Sequence, residues 1–249
     1  MSPEFWRAFG LWRSIVIYYG QPWRRHKLQT FYRQFVTPGD LAFDIGAHVG
    51  SRSRTLLKLG AKVIAVEPQR DFADFISRRI DHPHLTLVRK AVGKVAGTVD
   101  LHISTRHPTV TTTSSSWISS VTQTSGFEQV SWDRVEKVER ITIDQMIADH
   151  GCPKFCKIDV EGAEAEILRG LTQPIPIIAF EYVPAAMDVA FQVVDELERL
   201  GNYVFNRTAG EDHDFAHSRW LTPIEIRKEL SALKTTAKSG DVYARLEGS

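Results

Sequence analysis

Short apolar runs alternate with amphipathic stretches along this chain, and glycines punctuate the joins. Residues 41–45 and 63–66 are apolar runs of strand length that carry or meet an acid at their ends, Asp44 and Glu67. Runs of this kind read as strands of a parallel sheet covered on both faces. Between them, 51–59 has helical spacing and a natural stop at Gly60. A helix is also predicted over 71–80, where Phe72, Phe75, Ile76 and Ile80 share one face. Further strands are predicted at 85–88, 155–159, 177–180, 201–205 and 241–246. Helices are predicted at 28–35, from Thr142 to the stop at Gly151, and at 163–169, 185–200 and 223–233. Alternation at Val99, Leu101 and Ile103 predicts a hairpin that turns at 93–97, and alternation resumes over 135–143. Strands alternating with helices make an α/β architecture around one mainly parallel sheet.

One polar stretch breaks the pattern. Residues 104–126 are rich in Ser and Thr, nearly free of charge, and carry Trp117 and Ile118 in their middle. A run of this length inside a domain is either disordered or a functional loop. The embedded tryptophan favours a lid that docks over a neutral, hydroxylated substrate, with disorder as the competing expectation.

The candidate chemistry lies at the strand ends. In Asp44-x-Gly46-x-x-x-Gly50, Gly46 permits a sharp turn and Gly50 lets the next helix start close to the strand or to a ligand. That helix start offers unpaired N–H groups at the carboxyl end of a parallel strand, where nucleotide-type ligands bind. A dinucleotide site needs G-x-G-x-x-G, and here Ala47 and His48 occupy the place of the second glycine. Glu67 follows 23 positions after Asp44, where an acid can accept both hydroxyls of a ribose. Asp159 and Glu161 stand two apart at a later strand end, and Glu181 ends the next strand. Asp44, Glu67, Asp159 and Glu181 are therefore predicted to face one crevice. Unpartnered buried acids are costly, so the pattern calls for a cationic or hydroxyl-rich ligand, a metal, or both. Two structural readings stand beside it: Glu161 caps the following helix, and Glu181 pairs with an internal Arg or Lys.

Three motifs in order, Asp44 to Gly50, Val66-Glu67-Pro68, and Lys157-Ile158-Asp159-Val160-Glu161-Gly162-Ala163-Glu164 followed by Leu168-Arg169-Gly170, resemble the FkbM-type S-adenosylmethionine-dependent methyltransferases. The resemblance covers about residues 31–181. It implies the class I methyltransferase fold, a Rossmann-like α/β domain with a seven-stranded, mostly parallel sheet and helices on both faces. It also implies S-adenosyl-L-methionine as methyl donor. Asp44, Gly46, Ala47 and Gly50 would surround the donor's amino-acid part, Glu67 with Pro68 would hold the ribose, and Ala91 would lie beside the adenine. Family members more usually carry Asn where this chain has His48. The implied reaction is O-methylation of a hydroxyl on a sugar or secondary-metabolite acceptor. The acceptor must lose a proton, so a general base is needed within hydrogen-bond reach. Asp159 or Glu161 is the expected base, with Glu181 and Lys157 supporting or orienting. A methyltransferase domain over 31–249 with a helical extension over 1–30 is the expected organisation.

Composition narrows the partners. A length of 249 residues suits one domain, and the net charge of +1 gives no general pull toward nucleic acid. A small-molecule or glycan acceptor is expected instead. Arg52 and Arg54 are expected to face water, and the basic run at 23–27 to be a solvated helix start. Cys152 and Cys156 are the only cysteines, so a reducing, cytoplasmic compartment is expected. His82 and His84 read as solvated turn residues, and His213 and His217 as parts of a surface loop. On a helix the latter two would share a face and invite a metal. The aromatic segment at 5–19 is interrupted by Arg7 and Arg13 and is too short to span a membrane. It is expected to pack on the domain and roof the donor site, the alternative being an interfacial helix that meets a membrane or a partner. Three other functions share the sheet. The missing glycine counts against a nicotinamide dehydrogenase, while a carboxylate-bound divalent metal and a non-catalytic binding protein stay open.

Overall fold

The computed structural model describes residues 9, 10, 12, 13, 22–122, 127–210 and 212–248. Most of the 5–19 segment and residues 123–126 of the Ser/Thr-rich stretch thus lie outside the described residues. So do the side chains at 23–25 in the basic run, while Lys27 pairs with Asp214 at 2.6 Å.

In chain order the elements are α1 (Pro22–Tyr32), β1 (Leu41–Ile45), α2 (Ser51–Lys58), β2 (Lys62–Val66), α3 (Arg70–Arg79), β3 (Leu85–Val88), β4 (Ala91–Val92) and β5 (Gly97–Ile103). There follow α4 (Ser115–Val121), β6 (Arg134–Ile141), α5 (Ile143–His150), β7 (Phe155–Ile158), α6 (Glu164–Arg169) and β8 (Ile177–Tyr182). The chain continues through α7 (Met187–Leu200), β9 (Tyr203–Arg207), α8 (Pro223–Ser231) and β10 (Gly240–Leu246).

Seven strands form the main sheet in the order β3-β2-β1-β7-β8-β10-β9. All neighbours are parallel except β10, which runs antiparallel to both β8 and β9. This is the seven-stranded class I arrangement that the resemblance implied. Because side chains alternate across a strand, each strand feeds two cores. Phe43, Ile45, Ile158 and Phe180 pack toward α5, α6, α7 and α8, whereas Ala42, Val63, Phe155 and Tyr243 pack toward α1 and α2. Strand order reverses between β1 and β7, which opens a crevice at their carboxyl ends.

Helix α1 begins before the predicted start and runs across the expected division at residue 30. Its Leu28, Phe31 and Tyr32 are buried in the second core, and Phe35 just beyond it stacks on Phe155 and Tyr243. Burial against the sheet, rather than local spacing, sets this helix.

The expected hairpin between 91–92 and 98–103 does not form. Strand β6 lies between β4 and β5, parallel to the first and antiparallel to the second. A two-residue β4 offers too short a ladder to close a hairpin, while β5 pairs along almost all of the eight-residue β6. The predicted start of α5 holds: Thr142 and Gln145 form a reciprocal capping box. Among the described residues, no helix is long and apolar enough to cross a membrane.

Candidate active site

The crevice opens into a cavity of about 980 Å³, its mouth included. The turn after β1 supplies Gly46, Ala47 and His48 to its wall. Gly46 has φ of 80°, and a Cβ there would stand 1.9 Å from the Asp159 carbonyl oxygen. The N–H groups of Gly46 and Ala47 both donate to Val66 O. Glycine at this position therefore lets the turn lie flat between the ends of β2 and β7. His48 also has positive φ, at 52°, and its ring meets Phe72 edge-on at 3.9 Å. Burial lowers its imidazole to about 3, so the ring is neutral.

Glu67, at the end of β2, lines the cavity and is otherwise buried. Its Oε2 accepts from His48 N and its Oε1 from Gln69 N, each at 2.8 Å. Each oxygen keeps lone-pair capacity for a ligand hydroxyl. Burial pushes this carboxyl up to about 8 despite those two bonds. Pro68 and Ala91 line the same end, with Phe72 and Val92 as apolar neighbours.

The opposite end is acidic. Asp159 lies 3.1 Å from Arg52 Nη1 and 3.6 Å from Lys157 Nζ. Burial acts to raise its carboxyl, yet the two cations hold it below the usual range. Glu161 and Glu181 also line the cavity, and among the described residues neither has a cation within 4 Å. Burial pushes both well above the usual carboxylate range; Glu181 adds to the effect at Glu161, and Asp159 adds to it at Glu181.

The chain belongs to the FkbM methyltransferases. The family described as Methyltransferase FkbM domain matches residues 44–221, most of the chain. Among curated proteins the chain is similar to the hexuronic acid methyltransferase AglP of Haloferax volcanii, 25% identical over 146 residues. That match covers 58% of this chain and 55% of the relative, so the chain spans about half the relative's length. Among solved structures it is similar to a precorrin-6y C5,15-methyltransferase from Geobacter metallireducens, with a TM-score of 0.47 and 14% identity over 90% of this chain and 87% of that one. It is also similar to a TehB-like SAM-dependent methyltransferase from Corynebacterium glutamicum, with a TM-score of 0.43 and 15% identity over 94% of this chain and 100% of that one.

The motif residues of this FkbM-family chain fall into two groups. Gly46, Ala47, Glu67, Pro68, Ala91, Asp159, Glu161 and Glu181 line the cavity. Asp44, Gly50 and Lys157 do not. Strand alternation turns Asp44 away from the cavity, where it is buried and accepts a hydrogen bond from Ser53 Oγ, tying β1 to α2. Gly50, with φ of 72°, faces α3; a Cβ there would meet Ile80 Cδ1 at 2.7 Å. Lys157 is fully buried behind the wall, 2.9 Å from Asp241 and donating to Ile158 O at 3.2 Å. Burial works against its charge, but Asp159 and Asp241 hold the ammonium above its usual range.

Two structural readings of the acids are also corrected. Glu161 does not cap α6: its φ is 57°, its carbonyl accepts from Thr112 Oγ1 at 2.6 Å, and Glu164 Oε1 accepts from Val160 N. Glu181 has no ion-pair partner among the described residues, because Lys157 and Arg52 are drawn to Asp241 and Asp159.

Arg52 was expected in water and is instead part of the site. It sits on the first turn of α2, which points at the crevice, and reaches Asp159 and, at 3.9 Å, Asp241. Asp241 is the second residue of β10 and lies opposite Glu181 in register. An acid leading an apolar strand was its only trace in the sequence.

The Ser/Thr-rich stretch is docked through residue 122 and contains a 3-10 turn, Pro108–Val110, as well as α4. Ser114 caps α4 by accepting from Trp117 N. Trp117 is buried, edge-on to Phe127 and Trp132 and pressed against Gly162. Thr109, Thr111, Thr112 and Thr113 face the cavity. Among the described N-terminal residues, Gly10 lies against Thr105 and Pro108, and Arg13 contacts His107 Nδ1 at 3.2 Å, so this part packs on the lid. A Cβ on Gly162 would lie 2.2 Å from the Trp117 ring at a φ of 92°. Gly162→Ala is therefore expected to undock α4 at a cost of about 1–3 kcal/mol. Red-shifted tryptophan emission and faster proteolysis within 104–122 are the expected readouts; unchanged emission would count against docking through this contact.

The histidine pairs are not metal sites in this arrangement. His213 stacks on Phe31, His217 lies 3.3 Å from Glu229, and His82 accepts from His84 N. Among the described residues, no three His, Cys, Asp or Glu side chains are placed to hold a metal ion, and Asp159, Glu161 and Glu181 are no exception.

Proposed function

We propose that this protein transfers a methyl group from S-adenosylmethionine to a hydroxyl of a sugar acceptor. One observation carries the reading: a cradle suited to the donor and an acidic, hydroxyl-lined end share one cavity. The cradle is fit for the donor on its own geometry. Gly46 lets the turn pack against the Asp159 backbone at the cavity wall, and Glu67 presents two buried oxygens for the ribose hydroxyls, with Phe72, Ala91 and Val92 offering apolar surface to the adenine. Similarity to an enzyme named for hexuronic acid supports a sugar as acceptor. The free cysteines, Cys152 exposed and Cys156 buried, fit a reducing, cytoplasmic setting.

The bound donor would supply an electrophilic methyl group for an in-line displacement. This chain's own residues position the acceptor and take its proton, and positioning provides much of the rate in such transfers. Asp159, ion-paired and held acidic, is a poor base and is better suited to hold the donor's ammonium. Glu161 is the better base: it is half-buried, repelled by Glu181 and farther from the cations that hold Asp159. Glu181 stands beside it as an orienting acceptor of hydrogen bonds.

Calorimetric titration with S-adenosylhomocysteine, followed by transfer from labelled donor to a panel of methyl glycosides, tests this reading. Micromolar binding and transfer are expected. NAD binding in place of S-adenosylhomocysteine would overturn it. A base must be deprotonated, so kcat should rise with pH through a limb above the ordinary carboxylate range. Glu161→Gln should remove that limb and lower kcat by about 10²–10⁴-fold.

A further inference from the structure

Arg52 and Lys90 are the cations among the residues that line the cavity, and both are already paired. Arg52 lies 3.1 Å from Asp159, and Lys90 lies 2.8 Å from Glu139. Lys157, behind the wall, is held by Asp241 at 2.9 Å. Facing these cations are four carboxylates, Glu67, Asp159, Glu161 and Glu181. Backbone N–H groups engage the first and cations the second. Glu161 and Glu181 retain their full hydrogen-bond-accepting capacity toward whatever enters. The lid residues that line the cavity add hydroxyls and no charge: Thr112 donates to Glu161 O and Thr111 to Gln69 Oε1 at 2.9 Å, with Pro108, Thr109 and Thr113 alongside.

Such a surface is matched to hydroxyl hydrogens. Once Glu161 and Glu181 are ionised, an acceptor carboxylate would enter a partly dry space beside two like charges and, among the described residues, would find both lining cations already paired, an arrangement that costs several-fold to many-fold in binding. We infer that the acceptor is an uncharged, hydroxyl-rich sugar, and that Glu181 is the residue that discriminates against its carboxylate-bearing counterpart. The inference rests on the methyltransferase reading above, and it sets this chain apart from the relative named for hexuronic acid. Glu181 is chosen over Glu161 because β8 holds it in the sheet, opposite Asp241, where it can act on charge without serving as the base.

The test compares kcat/KM, at a pH above the kcat limb where Glu161 and Glu181 are ionised, for methyl glucoside with methyl glucuronide and for methyl galactoside with methyl galacturonide, each pair differing at C6 alone. The wild type is expected to favour the neutral member by about tenfold or more. Glu181→Gln, which keeps the shape and removes the charge, should narrow that ratio while S-adenosylhomocysteine affinity holds. A uronide used as well as its neutral counterpart, or a ratio unchanged by Glu181→Gln, would overturn the inference; the wild-type ratio requires no variant to fold. S-adenosylhomocysteine binding with transfer to neither series would also overturn it, leaving the donor site standing. Failure to bind S-adenosylhomocysteine at all would instead remove the methyltransferase reading beneath it.

Discussion

Glu67→Ala is expected to lower S-adenosylhomocysteine affinity by about 100-fold or more, the largest effect on donor binding of any single cavity substitution. Two hydroxyl-to-carboxylate bonds at about 1.5–3 kcal/mol each account for that loss. The substitution also strips the acceptors from His48 N and Gln69 N, loosening both turns that frame the cradle. Glu67→Gln separates the two contributions, since it keeps one acceptor oxygen without the charge. Titration calorimetry of the three proteins reads the result, and an affinity within a factor of about three of wild type would place the ribose elsewhere.

The same carboxyl makes a signed prediction about pH. Glu67 is raised by burial to about 8 and Glu164 to about 7. A group raised in the folded state contributes stability in full at low pH and loses it as pH rises through the folded value. His48 runs the other way, because its lowered imidazole costs stability only as pH falls below the ordinary histidine range of about 6.5. Between about pH 6.5 and 8 the carboxylates therefore decide, and the ligand-free protein should melt at progressively lower temperature. Ribose hydroxyls on Glu67 favour its ionised form, so the stabilisation by S-adenosylhomocysteine should grow over that window. A ligand-induced shift in melting temperature that is flat or shrinking with pH would contradict this.

Lys157→Met carries the second large effect, this time on the fold. Lys157 is fully buried and is held by Asp241 at 2.9 Å and Asp159 at 3.6 Å. Removing one member of a buried ion pair costs about 3–5 kcal/mol, because the remaining charge has no solvent to return to. For a chain of this size that is a fall in melting temperature of about 6–20 °C. Adding Asp241→Asn should recover part of the loss, since it removes a charge that the first change leaves stranded. Thermal unfolding of wild type, single and double variants reads this. A double variant less stable than the single would mean that Arg52, 3.9 Å from Asp241, rather than Lys157, is the cation that Asp241 needs.

Local physics made a large part of this protein legible. Strand and helix positions follow from periodicities of 2 and 3.6 that involve near neighbours, and Gly46 and Gly50 announce left-handed backbone wherever they occur. With the spacing of Asp44 and Glu67, and the Asp159 to Glu164 motif, those signals determined the α/β sheet, the family and the end of the cavity that Gly46 and Glu67 line. Tertiary structure decided which side chains reach the cavity. Asp44 and Lys157 were turned behind its wall, and Arg52 was drawn into it by Asp159 and Asp241, partners 107 and 189 positions away in the chain. Strand β6 displaced a hairpin by pairing with both candidate strands, and Trp117 turned a polar stretch into a docked lid by finding Gly162. Each of these outcomes depends on the register of strands and loops far apart in sequence. Ion pairing and close packing are set by where those elements meet, and no local pattern of hydrophobic and polar residues encodes that meeting.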